Sequence, residues 1–113
     1  MFNERERMIV KFEKEYLSEL YYKGKSSDKK YRFQPNVIMN YKRRIDMINN
    51  APNIEALYPI GSLHYEILKG DKAGISSIRV NDQYRLEFIV AKNEEDEETI
   101  TICRIIELSN HYK

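Results

Sequence analysis

A chain of 113 residues, 42% of them hydrophobic and 12% aromatic, suits a single domain over residues 1–113, with residues 1–7 read as a polar amino-terminal extension. Nine Tyr and four Phe give it more aromatic burial capacity than disordered chains have, and no apolar run approaches the roughly 20 residues that cross a bilayer. With an opening of alternating Glu and Arg in place of an apolar leader, this predicts a cytoplasmic protein without membrane contact. The formal charge of +1 hides an asymmetry, because five of the 18 acidic residues form one run, Glu94 to Glu98. Elsewhere 13 acids stand against 19 bases, a net +6, so the body of the chain is basic and suited to an anion such as RNA. The single cysteine, Cys103, reads as a small buried hydrophobe.

In chain order, residues 8–12 predict a first strand. From Phe12 the positions Tyr16, Leu17, Leu20 and Tyr21 follow helical spacing, with Gly24 placed to cap the end in a left-handed conformation. After a charged, turn-rich stretch to Arg32, Pro35 opens a second helix whose stripe is Val37, Ile38, Tyr41, Ile45 and Ile48. It runs to about Asn49. Asn53 then caps a short turn carrying Ile54 and Leu57. Everything after Gly61 reads as strand: 65–69, 75–80, 84–90 and 99–106, with the acidic run as the tip of the last hairpin. The order β-α-α-β-β-β-β predicts an α+β fold with two early helices packed on an antiparallel twisted sheet.

The hairpin at Asn81 allows its register to be read from parity. Ile78, Val80, Tyr84, Leu86 and Phe88 share one face only if the loop is Asn81-Asp82-Gln83. Arg79 and Arg85 then lie opposite each other on the other face, where two like charges repel unless an anion lies between them. Glu87 shares that face and is placed to neutralise one of them.

The stretches 68–74 (LKGDKAG) and 77–86 (SIRVNDQYRL), with the tail 108–113 (LSNHYK), resemble the HigB toxins, the plasmid maintenance killer branch of the RelE/ParE superfamily. The resemblance covers residues 8–113. It implies a RelE-like fold and a ribosome-dependent, metal-independent endoribonuclease that cuts mRNA, inhibits translation and is silenced by a HigA-like helix-turn-helix antitoxin. Such cleavage is attack of the ribose 2′-hydroxyl on the adjacent phosphate. It needs a base, cations for the phosphorane charge and an acid for the leaving oxygen. His111 suits proton transfer near neutrality, while Arg85 and Lys69 suit the phosphate. Arg79, Lys72, Asn110, Tyr112 and His64 complete the expected RNA contacts, with Tyr112 placed to stack on a base.

The sequence departs from the family pattern in two places. Where some members carry a histidine two residues before the Leu of Leu-Lys-Gly, this chain has Glu66, an alternative base, and His64 lies two residues earlier on what reads as the same strand face. The tail also lacks the carboxylate that some members carry before their terminal Tyr-His. Tyr16, Tyr21 and Tyr41 lie on helical stripes and read as core. No metal-ligand spacing and no Gly-rich phosphate loop is present, so neither metal nor cofactor is expected. A catalytically inactive module that binds RNA or antitoxin remains an alternative, and a ParE-like gyrase inhibitor a weaker one.

Overall fold

The computed structural model describes residues 5–95 and 97–110. Its elements are β1 (Glu6–Phe12), α1 (Glu15–Lys23), α2 (Pro35–Asn50), β2 (Glu66–Ile67), β3 (Ser76–Arg79), β4 (Tyr84–Glu95) and β5 (Glu98–Asn110). They form a five-stranded sheet in the order β1-β5-β4-β3-β2. The expected α+β architecture holds, with one refinement to the sheet: β1 runs parallel to β5, and the other pairings are antiparallel. Direction follows from connectivity. From β1 the chain crosses through both helices to the far edge of the sheet, then returns strand by strand until β5 lies beside β1.

Alternation decides which face the helices cover. Met8, Val10 and Phe12 of β1 register with Thr101, Cys103 and Ile105 of β5, and these residues point toward the helices together with Ile78, Leu86 and Phe88. Leu17 and Leu20 of α1, with Val37, Tyr41, Ile45 and Ile48 of α2, fill the layer above them. Tyr41 donates its phenolic proton to the Leu17 carbonyl at 2.7 Å, and the Tyr16 hydroxyl accepts from the Leu108 amide at 3.1 Å. Both tyrosines are core, as their spacing predicts. Tyr21 is half-buried, packs against that core and bonds Asp46. In β5 the register slips between Glu87 and Phe88 of its partner, leaving Ile106 as an extra residue, so Ile105 and Leu108 both reach the core although three positions apart.

The local signals act where they are written. Gly24 ends α1 at φ 76°, a left-handed conformation that costs glycine little. Pro35 occupies the first turn of α2, and the Asn53 side chain accepts from the Ala56 amide to start a 3-10 turn at Ile54–Leu57. Cys103 is buried and unpaired, with its thiol pushed up to about 12 by burial.

Several boundaries differ from the sequence reading. Phe12 ends β1 and does not begin α1. The expected strand 65–69 shrinks to Glu66–Ile67, because the chain from Leu68 to Ile75 folds back on itself: the Leu68 amide donates to Ile75 and the Gly74 amide to Leu68. The acidic run is a hairpin tip as expected, yet Glu94, Glu95 and Glu98 belong to the strands, since β4 continues to Glu95 and β5 begins at Glu98. Beyond the core both faces of this ribbon meet water, so charged side chains cost nothing there. The extension also finds partners, for Glu6 already belongs to β1 and accepts from Asn53 at 3.1 Å, and Arg5 pairs with Glu97.

Candidate nucleic-acid interface

The sheet face turned away from the helices carries the predicted site at the β2–β3 end. The three-residue loop expected at Asn81 is present, and Arg79 stands opposite Arg85. Asn81 organises that loop by accepting from the Gln83 and Tyr84 amides at 2.9 and 2.7 Å. The like charges are separated by protein partners. Arg79 pairs with Asp82, and its carbonyl accepts from Arg44 Nε of α2 at 2.8 Å. Arg85 turns the other way.

The Arg85 guanidinium is held at several points. Its Nε donates to Ser77 Oγ at 2.6 Å, and its Nη2 donates to the carbonyls of His64 at 2.7 Å and Ser77 at 3.2 Å. Glu66 Oε1 lies 3.8 Å from the same Nη2, so the carboxylate expected as an alternative base sits beside the arginine expected to hold the phosphate. Only 13% of the Arg85 side chain is exposed, against 55% of Glu66.

Glu87 does not neutralise an arginine. Lys72 reaches from the 3-10 turn Gly70–Lys72 and donates to both Glu87 carboxylate oxygens, at 3.1 and 3.0 Å. Glu87 is nearly buried beneath it, with 8% of its side chain exposed. In register, Glu66, Ser77, Glu87 and Glu107 form one row across four strands, and Lys14 from the start of α1 closes the row by donating to Glu107 at 2.8 Å. That hydrogen bond raises the Lys14 pKa above its usual value, since it favours the charged amine. The face is thus one of alternating cations and carboxylates, where the charge count alone suggests a basic surface. A net charge sums residues without regard to neighbours, and Lys14, Lys72, Arg79 and Arg85 here each have a carboxylate within 4 Å.

Among the other predicted residues, Lys69 is exposed and precedes the turn that carries Lys72. Asn110 ends β5 opposite Tyr84, and Ser109 stands opposite Arg85, so β5 ends at the Arg85 end of the sheet. His111 and Tyr112 lie outside the described residues. His64 is not on a strand face with Glu66. It caps the 3-10 turn Gly61–Leu63 with φ 43° and ψ 54°, a left-handed conformation. The break comes from that turn, which the sequence reading assigned to extended chain. The sequence reading gave no site role to Ser77, Lys14 or Glu107. The parity that pairs Arg79 with Arg85 already places Ser77 on their face, but nothing local links Lys14 to a residue 93 positions away. Among the described residues no cluster of His, Cys, Asp and Glu suits a metal, and no helix is long and apolar enough to cross a membrane.

Comparison with known proteins fits this arrangement. A family model described as the RelE-like toxin of type II toxin–antitoxin system HigB matches residues 3–100, which include Glu66, Lys69, Ser77 and Arg85 but stop short of the tail. An uncharacterized protein of Haemophilus influenzae (strain ATCC 51907 / DSM 11121 / KW20 / Rd) is 36% identical over 83 residues, covering 74% of this chain and 79% of that protein. Among solved structures, the YoeB/ParE toxin from Agrobacterium tumefaciens superposes with a TM-score of 0.56 at 19% identity, over 93% of this chain and all of the other, which establishes likeness of fold. With the family model covering most of the sequence, this chain belongs to the HigB-like family of RelE-like toxins of type II toxin–antitoxin systems, and its function involves an antitoxin partner.

Proposed function

We propose that the chain is a ribosome-dependent mRNA endoribonuclease, acting without a metal and held inactive by a HigA-like helix-turn-helix antitoxin. The observation that carries this reading is the pairing of a fixed guanidinium, Arg85, with an exposed carboxylate, Glu66, at the end of a sheet in a HigB-like toxin. Cleavage by the adjacent 2′-hydroxyl asks for a base at that hydroxyl and a cation at the phosphate, and these two side chains supply both chemistries side by side. Lys69 adds an exposed point charge nearby in sequence, and His111, following Asn110 at the Arg85 end, is assigned to protonating the leaving 5′-oxygen. The arrangement is sparse, in keeping with an enzyme that leaves part of the positioning of its message to the ribosome. The site is expected to act in the cytoplasm.

A second reading, a module that grips RNA or antitoxin without cutting, is favoured by one observation: Lys72 and much of Arg85 are already engaged with protein atoms. Expression without an antitoxin separates the two. The nuclease reading expects growth arrest with new 5′ ends inside translated messages. Arrested cells with intact messages, or normal growth, would remove it.

A further inference from the structure

Arginine 85 has one polar edge spent inside the protein, and the way it is spent is specific. Nε and Nη2 meet the hydroxyl and carbonyl of Ser77, and Nη2 also meets the carbonyl of His64. Nη1 takes no part in these bonds, which leaves its two N–H donors for a phosphate oxygen. A guanidinium on a long flexible stem is ordinarily free to rotate, and fixing it in advance removes an entropy cost that substrate binding would otherwise bear. Ser77 is 1% exposed, so its hydroxyl is not itself a surface contact. It faces Arg85 because β3 pairs with β4 in the register set by the Asn81 loop.

The His64 contribution is stranger. A non-glycine residue at φ 43° is uncommon, and histidine is among those that accept it more readily than branched residues do. That conformation ends the 3-10 turn at Leu63 and places the His64 carbonyl 2.7 Å from Arg85 Nη2. The bond uses the backbone, whereas the sequence pointed to the imidazole.

We infer that Ser77 and the left-handed backbone of His64 form a socket that positions Arg85 for phosphate, with His64 acting through its carbonyl oxygen. Ser77 and His64 are then positioning residues, and Arg85 Nη1 is the atom that touches the phosphate. The functional half of this inference rests on the ribonuclease reading above; the socket itself does not.

The test therefore has two arms. In the full-length protein, hydrogen exchange of the Arg85 Nε–H with water is followed by NMR. Loss of the Ser77 hydroxyl in Ser77→Ala should speed that exchange about tenfold, as removal of one good hydrogen bond implies. Ser77→Cys, which keeps the volume with a weaker acceptor, serves if the alanine variant does not fold. In the second arm, single-turnover cleavage of a defined mRNA on programmed ribosomes is measured alongside ribosome affinity. Ser77→Ala should slow cleavage by about 10²-fold with little change in affinity, the loss expected from a misplaced contact group. His64→Asn, which tolerates the left-handed region, should retain far more activity than His64→Val, which resists it. Unchanged Nε–H exchange in Ser77→Ala, or equal losses in His64→Asn and His64→Val down to the level of Arg85→Ala, would overturn the socket. A parent protein that does not cleave would instead remove the ribonuclease reading, and the exchange arm would still decide the socket.

Discussion

At the scale of single residues, the Arg85 guanidinium is fixed by its neighbours. Arg85→Ala and His111→Ala should each reduce cleavage by roughly 10²-fold or more in the ribosome assay, the usual loss for a transition-state cation or a general acid. Both variants should remain folded by circular dichroism. A His111→Ala protein with the parent rate would pass the acid's role to another group. Titration makes a different prediction. Burial pushes Cys103, Tyr16 and Tyr65 each up to about 12, from ordinary values of 9.0 for the thiol and 10.0 for the phenols. In all three the folded-state pKa lies above the unfolded one, so the unfolded chain loses its proton first as pH rises. Their contribution is fully present below about pH 9 and is lost progressively as pH climbs to about 12. Urea unfolding at a series of alkaline pH values should show the decline, and Cys103→Ala should delay its onset from about pH 9 to about pH 10, where the tyrosines begin.

At the scale of elements, short signals hold long pieces in place. Asn53 both caps the turn at Ile54–Leu57 and bonds Glu6 of β1, tying the segment after α2 to the first strand. Asn53→Ala should cost about 1 kcal/mol in chemical denaturation, the typical worth of a capping side chain. Gly24→Ala should cost a similar amount, about 1 kcal/mol, because of its positive φ and not for want of room. A Cβ there would meet only Lys42 Nζ, at an ordinary 3.5 Å. By contrast, the exposed pair Arg5–Glu97 at the hairpin tip should be nearly neutral when Glu97 becomes Gln.

At the scale of the whole molecule, charge is distributed unevenly between the two ends of β4. The β4–β5 ribbon carries the acidic run to its tip, while Arg85, Lys69 and Lys72 lie at the other end of β4 and its neighbours. A body with net +6 outside that run attracts an acidic antitoxin surface, and association should slow markedly as salt rises. Replacing the five acids 94–98 with Ser or Asn should leave antitoxin affinity essentially unchanged, as read by titration calorimetry. Salt-insensitive association would argue for apolar docking on the helices instead. A large loss of affinity in the substituted protein would place the antitoxin at the tip.

What the sequence alone determined was whatever depends on near neighbours in the chain. Helical spacing and the punctuation of Gly24, Pro35 and Asn53 specify the two helices and the turn after them. The odd loop at Asn81 specifies that Arg79 faces Arg85, and the two segments on either side of Gly74 mark the family. Tertiary structure decided what depends on distant partners. The parallel pairing of β1 with β5 joins residues more than 90 positions apart, and no local pattern records strand direction. The pairing of Lys14 with Glu107 and the turn that takes His64 off the strand arise the same way. So does the engagement of Arg85: a sequence shows that an arginine is present, but which of its five N–H donors remain for a substrate is set by the groups that folding brings against it.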